Sequence, residues 1–283
     1  MRESHLNLRS ILFFLICTSQ IFNQWTNEPF AERKTNKSYT MTSVSSPPLV
    51  DGSIDDGIWV GVPVISDFIQ DEPNNMADPS ERTEVKLVYD DHAIYVSAKM
   101  FDSEPDKIVK RLAQRDDWPG GFDDVSDWFS IDFDSRHDHQ TAYVMVVNAS
   151  GVKLDAMVFD DRDYDSDWNA VWDAEVNIDD QGWTVEMRIP FSMLRFTPSN
   201  GMVWGFNMGR FIHRKNEHVS WVTFPRGVHG IVSKYGHLTG LKGIYPPAKF
   251  EFRPYFMGGI TDYTDIKLDT LESPLSHSLN YIN

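Results

Sequence analysis

Residues 181–195, Gln-Gly-Trp-Thr-Val-Glu-Met-Arg-Ile-Pro-Phe-Ser-Met-Leu-Arg, constrain the fold more than any other part of the chain. Trp183, Val185, Met187 and Ile189 alternate with Thr184, Glu186 and Arg188, so an extended backbone puts the four apolar side chains on one face. Gln181-Gly182 supplies a turn in front, and Pro190, with no N–H to donate, ends the ladder behind. The same alternation recurs at 84–89, 94–101, 128–133, 142–148, 152–159, 172–178, 204–212 and 220–224, with turn residues between. Short strands at this spacing predict an all-β fold, an antiparallel sandwich of immunoglobulin-like or jelly-roll type. Helical pattern is confined to residues 55–60 and 191–194, which excludes βαβ units and a dinucleotide-binding fold.

A chain of 283 residues with 41% hydrophobic content can build one large β domain or two small ones. Its net charge of −16 is spread along the chain, an arrangement that repels phosphates and excludes nucleic acid as a partner. Arg2, His5 and Arg9 precede an apolar run at 11–17, and polar residues follow, which is the layout of a secretory signal over residues 1–24. The run falls short of the roughly 20 apolar residues that a spanning helix needs. Cys17, the single cysteine, lies inside this signal, where the bulky Ile16 argues against acylation. With the signal removed, disulfide chemistry drops out. Residues 25–46, polar and rich in Asn, Thr, Ser and Lys, read as a linker closed by Pro47 and Pro48.

Further motifs stand in order along the chain. They are Asp51-Gly52 with Trp59; Val88-Tyr89-Asp90-Asp91 before Ile94-Tyr95-Val96; Arg115-Asp116 before Asp123-Asp124; and Asn148 with Gly151 and Asp155. Trp168 with Trp172-Asp173, the 181–195 segment, Trp204-Gly205-Phe206-Asn207, Glu217 with Trp221, and Gly236-His237-Leu238 follow. On these residues the chain resembles carbohydrate-binding module family 9 over residues 49–243, and within it the secreted subgroup whose module precedes a C-terminal β-barrel. The resemblance implies a sugar-holding β-sandwich over residues 47–245 and export to the periplasm, the outer membrane or beyond. It also implies the start of a barrel domain at 246–283, where the alternation of residues 249–257 looks like a first barrel strand. One strand cannot close a barrel, so the chain reads as a piece of a longer protein that meets a membrane only through that barrel. Family associations with O-glycosyl hydrolases and carbohydrate catabolism belong to fused or partner domains, and the module itself is expected to be non-catalytic.

Sugar sites need aromatic faces for the C–H-rich side of a pyranose ring and polar groups for its hydroxyls. Trp118, in a Pro- and Gly-rich loop, is the expected platform, with Arg115 and Asp117 beside it. Trp168, in the acidic loop before Trp172, is a second aromatic candidate. Asn148 and Arg210 are further polar candidates, each with a structural alternative: Asn148 as a turn former before Ser150-Gly151, and Arg210 as a strand arginine paired with an internal carboxylate. In sugar-binding family members one Trp precedes a strand carrying Asp-x-x-Glu, and a second Trp precedes the last strand. Trp118 can stand for the first, but the pattern here reads Asp127-Trp-Phe-Ser130, and residues 225–235 hold Val228, His229 and Tyr235 but no Trp. The expected oligosaccharide or polysaccharide therefore meets a depleted site.

The run from Asp160 to Asp167 places carboxylates at alternate positions, as a calcium loop does, because hard Ca²⁺ takes six to eight oxygens. Asp161, Asp163 and Asp165 are its candidate ligands, and other family members bind structural calcium. Ser166 in place of the loop glycine and Trp172 in place of the closing glutamate depart from the EF-hand pattern, and a solvated acidic turn is the alternative. No metalloprotease, nucleophile-elbow or phosphate-loop motif is present, so no catalytic residue is nominated. Three readings stay open: an exported carbohydrate-binding module, a structural or plug domain of an outer-membrane β-barrel without a sugar site, and, with least support, a hydrolase.

Overall fold

The structure, a computed structural model, describes residues 36–117, 125–246, 261–263 and 276–278. The chain divides into two compact units, residues 1–247 and 248–283. In the second unit, Thr261–Tyr263 pairs antiparallel with Ser276–Ser278. The proposed signal at 1–24 and the barrel-like stretch at 249–257 lie outside the described residues.

The first unit is a two-sheet sandwich. Its strands are β1 (Ser38–Thr40), β2 (Thr42–Ser43), β3 (Ile69–Glu72), β4 (Thr83–Tyr89), β5 (Ala93–Phe101), β6 (Trp128–Asp134) and β7 (Ala142–Asn148). They continue with β8 (Lys153–Phe159), β9 (Asp163–Asp165), β10 (Asp173–Asp179), β11 (Gly182–Pro190), β12 (Trp204–Ile212), β13 (Glu217–Ser220) and β14 (Gly236–Thr239). One sheet has nine strands in the order β1-β14-β12-β6-β7-β8-β9, with β13 and β3 continuing from β12, and the other has the order β10-β11-β5-β4-β2. Pairing is antiparallel except between β1 and β14 and between β2 and β4. The two predicted helical segments are single 3-10 turns at Gly57–Trp59 and Phe191–Met193.

Period-2 alternation places the core between the sheets. Phe129, Ile131 and Phe133 of β6, Tyr143, Met145 and Val147 of β7, and Trp204, Phe206 and Met208 of β12 meet Trp183, Val185, Met187 and Ile189 of β11 in one cluster. The opposite face of β11 is also closed. Glu186 is 1% exposed, and its carboxylate accepts the N–H groups of Asp51 (3.1 Å) and Gly52 (3.2 Å) and the indole N–H of Trp59 (3.0 Å). Gly52 lies at φ +84°, and a Cβ there would come within 2.9 Å of the Val176 backbone, so the Asp51-Gly52 motif is a close-approach turn.

Two sequence expectations are corrected here. Residues 38–43 are not linker: β1 and β2 join one sheet each, and Tyr39 and Met41 are buried in the main core. The Tyr39 hydroxyl donates to the Pro63 carbonyl at 2.9 Å. The strand expected at 220–224 instead occupies Glu217–Ser220, and its register against β3 shifts between His218 and Val219. Just beyond it the Trp221 N–H still donates to the Met208 carbonyl of β12 at 2.9 Å, and its ring is buried in the core.

Candidate functional site

The outward faces of β6, β7 and β8 form a second apolar surface. Trp128, Val144, Val146, Leu154 and Ala156 are all 8% exposed or less, although they point away from the main core. A sheet face this apolar must be covered or used. Part of it is covered by Val232 and Tyr235 from the segment before β14. The rest forms a cavity of about 270 Å³, walled by Trp128, Ser130 and Asp132 of β6, the neighbouring Val and Ala positions, and Tyr164 and Ser166 at the rim. Tyr164 is 45% exposed and gives the rim an aromatic face.

Three polar groups stand on this apolar floor. The Ser130 hydroxyl is one. The others are the Trp128 indole N–H and the Asp132 Oδ1, both occluded and without a hydrogen-bond partner among the described residues. The second oxygen, Asp132 Oδ2, accepts the Tyr235 hydroxyl at 2.7 Å. Burial pushes the Asp132 pKa up to about 7, against the pull of that hydrogen bond. Both unpaired atoms are buried in the recess wall, where leaving them without a partner costs stability. Trp128 is held from behind by Phe211 and His218, whose rings stack at 4.3 Å.

The covering segment is positioned by Asp161. Its Oδ1 accepts the N–H groups of Ile231 (3.1 Å) and Ser233 (2.7 Å), and its Oδ2 accepts the Ser233 hydroxyl at 2.8 Å. Burial disfavours its charge, but these donors outweigh burial and hold the carboxyl below its ordinary pKa. Asp161 thus fixes the segment that carries Tyr235 to Asp132. Asp163 and Asp165 sit on the short strand β9. Among the described residues no group of three or more His, Cys, Asp or Glu is arranged to hold a metal ion.

Of the other nominated residues, Arg115, Asn148, Arg210 and Trp168 have structural partners and do not line the cavity. Arg115 donates to Asp155 Oδ1 (2.7 Å), Asp116 Oδ2 (3.0 Å) and the Ala170 carbonyl (3.2 Å). Asp155 also accepts the Trp172 indole N–H at 3.0 Å, so the Arg115, Asp155 and Trp172 motifs form one internal hub. Asn148 is fully buried, and its Oδ1 accepts the N–H groups of Ser150 and Val152, each at 2.9 Å. Its Nδ2 donates to the Arg111 carbonyl, contacts that build the turn before Gly151. Arg210 is fully buried and bridges the sheets, donating to the Arg82 (3.0 Å) and Phe101 (2.8 Å) carbonyls and the Thr83 hydroxyl (3.2 Å). Burial lowers its pKa to about 10 despite Asp127, Asp102, Glu81 and Glu217 nearby. Trp168 packs on Tyr143 at 5.0 Å, at the margin of the main core. Asp117 is exposed in a turn, and Trp118 lies outside the described residues.

Sequence reasoning missed Asp132, Tyr164 and the pairing of Tyr235. One signal was available: Ser130 occupies the glutamate position of Asp-x-x-Glu, and Asp132 lies two residues on, on the same strand face. The carboxylate is displaced by one pleat.

A family model described as carbohydrate family 9 binding domain-like matches residues 50–225. Among solved structures the chain is similar to a carbohydrate binding module family 9 from Caldicellulosiruptor kristjanssonii in complex with glucose. That match has TM-score 0.53 and 18% identity, over 77% of this chain and 100% of that one. The complex with cellotriose from the same organism gives TM-score 0.51 and 19% identity over the same shares. A Bacteroides uniformis protein, proposed to bind carbohydrate, matches with TM-score 0.55 and 15% identity over 72% of this chain and 98% of that one. At these identities the likeness is one of fold. No curated protein sequence matches.

Proposed function

We propose, on the premise that this chain belongs to the carbohydrate family 9 binding domain-like family, that its sandwich binds a saccharide in the recess over Trp128, Ser130 and Asp132. The observation that carries the reading is a recess of about 270 Å³ whose floor of Val, Leu and Ala side chains is set with Trp128, Ser130 and Asp132 and rimmed by Tyr164. A pyranose ring offers that combination, with C–H faces for apolar contact and hydroxyls that both donate and accept. Tyr164 supplies the stacking face at the rim. The cavity, at about 270 Å³, suits one sugar ring with the rest of an oligosaccharide outside. Glucose and cellotriose, bound by the similar modules from C. kristjanssonii, are the first ligands to test.

In this reading the domain is an exported accessory to carbohydrate breakdown. The basic, then apolar, then polar order of residues 1–24 supports export. A non-catalytic role is supported by the cavity wall, which among the described residues carries one carboxyl where glycoside hydrolysis needs a pair about 5–9.5 Å apart. The plug reading draws its support from Ser130, which stands where the family's sugar-binding carboxylate would be.

Calorimetric titration of the full chain with glucose and cellotriose tests the proposal. We expect dissociation constants between micromolar and millimolar. Tyr164→Ala should weaken binding at least about tenfold without shifting the melting temperature. No heat of binding at millimolar sugar would move the reading to a structural domain.

A further inference from the structure

Two rows of side chains cross the floor of the recess, and both change character in the same direction. Ser130 of β6 stands opposite Val146 of β7, which stands opposite Leu154 of β8. One pleat along, Asp132 stands opposite Val144, which stands opposite Ala156. Each row is polar at β6 and aliphatic over the two strands beyond, a run of about 10 Å at the usual strand spacing of about 4.8 Å. Strand β7 is paired on both sides, so its backbone N–H and C=O groups are engaged in the ladders and cannot serve a ligand. Hydrogen-bonding atoms are few on the polar side too. Asp132 Oδ2 accepts the Tyr235 hydroxyl, and Asp132 Oδ1 and Trp128 Nε1 are occluded in the wall. Ser130, 9% exposed, remains at the inner end of the floor, with Tyr164 and Ser166 at the rim.

We propose that the recess selects a 6-deoxyhexose, whose C6 is a methyl group, over the hexose that differs from it only by a C6 hydroxyl. This inference rests on the recess being the saccharide site and specifies which saccharide it prefers. A ring that bonds Ser130 with one edge lies over β7 and turns its far edge to Leu154 and Ala156. A hydroxyl on that edge would leave water for a surface that offers it neither donor nor acceptor among the described residues, and burying a polar group unpaired weakens binding. A methyl group in the same place gains from burial instead.

The test is calorimetric titration of the full chain with three matched pairs: 6-deoxyglucose and glucose, L-fucose and L-galactose, L-rhamnose and L-mannose. In at least one pair the 6-deoxy sugar should bind about tenfold tighter than its partner, and in none should the hydroxylated sugar be the tighter. Val144→Thr and Ala156→Ser each place a hydroxyl on the aliphatic floor with little change of volume, and each should bring the preferred pair to within about twofold. The matched pairs need no substitution, so a variant that fails to fold leaves the first comparison decisive. Equal affinities within every pair, or a preference that persists in the folded variants, overturn this inference and leave the saccharide site standing. Absence of binding by all six sugars and by cellotriose overturns both.

Discussion

Asp132 destabilises the sandwich that carries it. Its carboxyl titrates at about 7 in the folded chain, well above the ordinary carboxylate range, so the folded state holds its proton more tightly than the unfolded one. The sign follows: this group costs stability above pH 7, and the cost fades as pH falls towards 4. Asp132→Asn should therefore gain about 4 kcal/mol at pH 8 and almost nothing at pH 4 in urea unfolding. An equal difference at both values would show that burial is not what shifts the group. Arg210 works the other way. Three of its hydrogen bonds join β12 to β4 and β5, and Arg210→Met should cost about 3–5 kcal/mol of unfolding free energy while leaving the sugar affinity of the folded fraction unchanged. The sequence left Arg210 between a sugar contact and an internal strand arginine, the second because it is in phase with Trp204, Phe206 and Met208. Asp132 escaped notice for a related reason. In phase with Trp128 and Ser130 it reads as an ordinary acid on a solvated sheet face, and only the segment from Ile231 to Tyr235, folded over it, removes the water. That cover is held by Asp161, far away in sequence, and no local pattern predicts it.

Elements were legible in proportion to their length. Strands β7 and β12 occupy the residues their alternation predicted, and β4, β5, β6, β8, β10 and β11 differ by one or two residues. Seven to nine residues of period 2 leave little choice of face, and a slip of one residue would turn the apolar set outward. Strands β1, β2, β3 and β9 have two to four residues, too few to repeat a pattern, and β1 and β2 pair in parallel with partners far along the chain. Residues 25–46 therefore read as linker although Tyr39 and Met41 enter the core. A chain beginning at residue 47 should lose about 3–5 kcal/mol relative to one beginning at residue 36, from the burial of those two side chains. Thermal unfolding of the two chains would measure it. Equal melting temperatures would mean that β1 and β2 pair without stabilising.

At the scale of the whole molecule, the contacts that close the sandwich are distant in sequence. Glu186 ties β11 to Asp51 and Trp59, and β1 lies beside β14, with Ser38, Tyr39 and Thr40 opposite His237, Leu238 and Thr239. Folding dominated by such pairings is slow compared with helical domains of similar size, so refolding in milliseconds to seconds is expected by stopped-flow fluorescence of the buried tryptophans. A microsecond refolding phase of full amplitude would contradict it. The β1–β14 pairing also sets how the unit answers force. Tension between residues 36 and 246 pulls β1 from its first residue and β14 from its last. In parallel strands those two forces run along the ladder in opposite senses. The bonds from Met41 N–H to the Thr239 carbonyl and from His237 N–H to the Lys37 carbonyl, 2.9 and 2.8 Å long, are then sheared together. Pulling between Ala142 and Val158, which face each other on antiparallel strands, would instead peel a hairpin open one pair at a time. Optical-trap pulling along the first axis should rupture at the higher force, making the seam between the two ends of the sandwich a mechanical clasp.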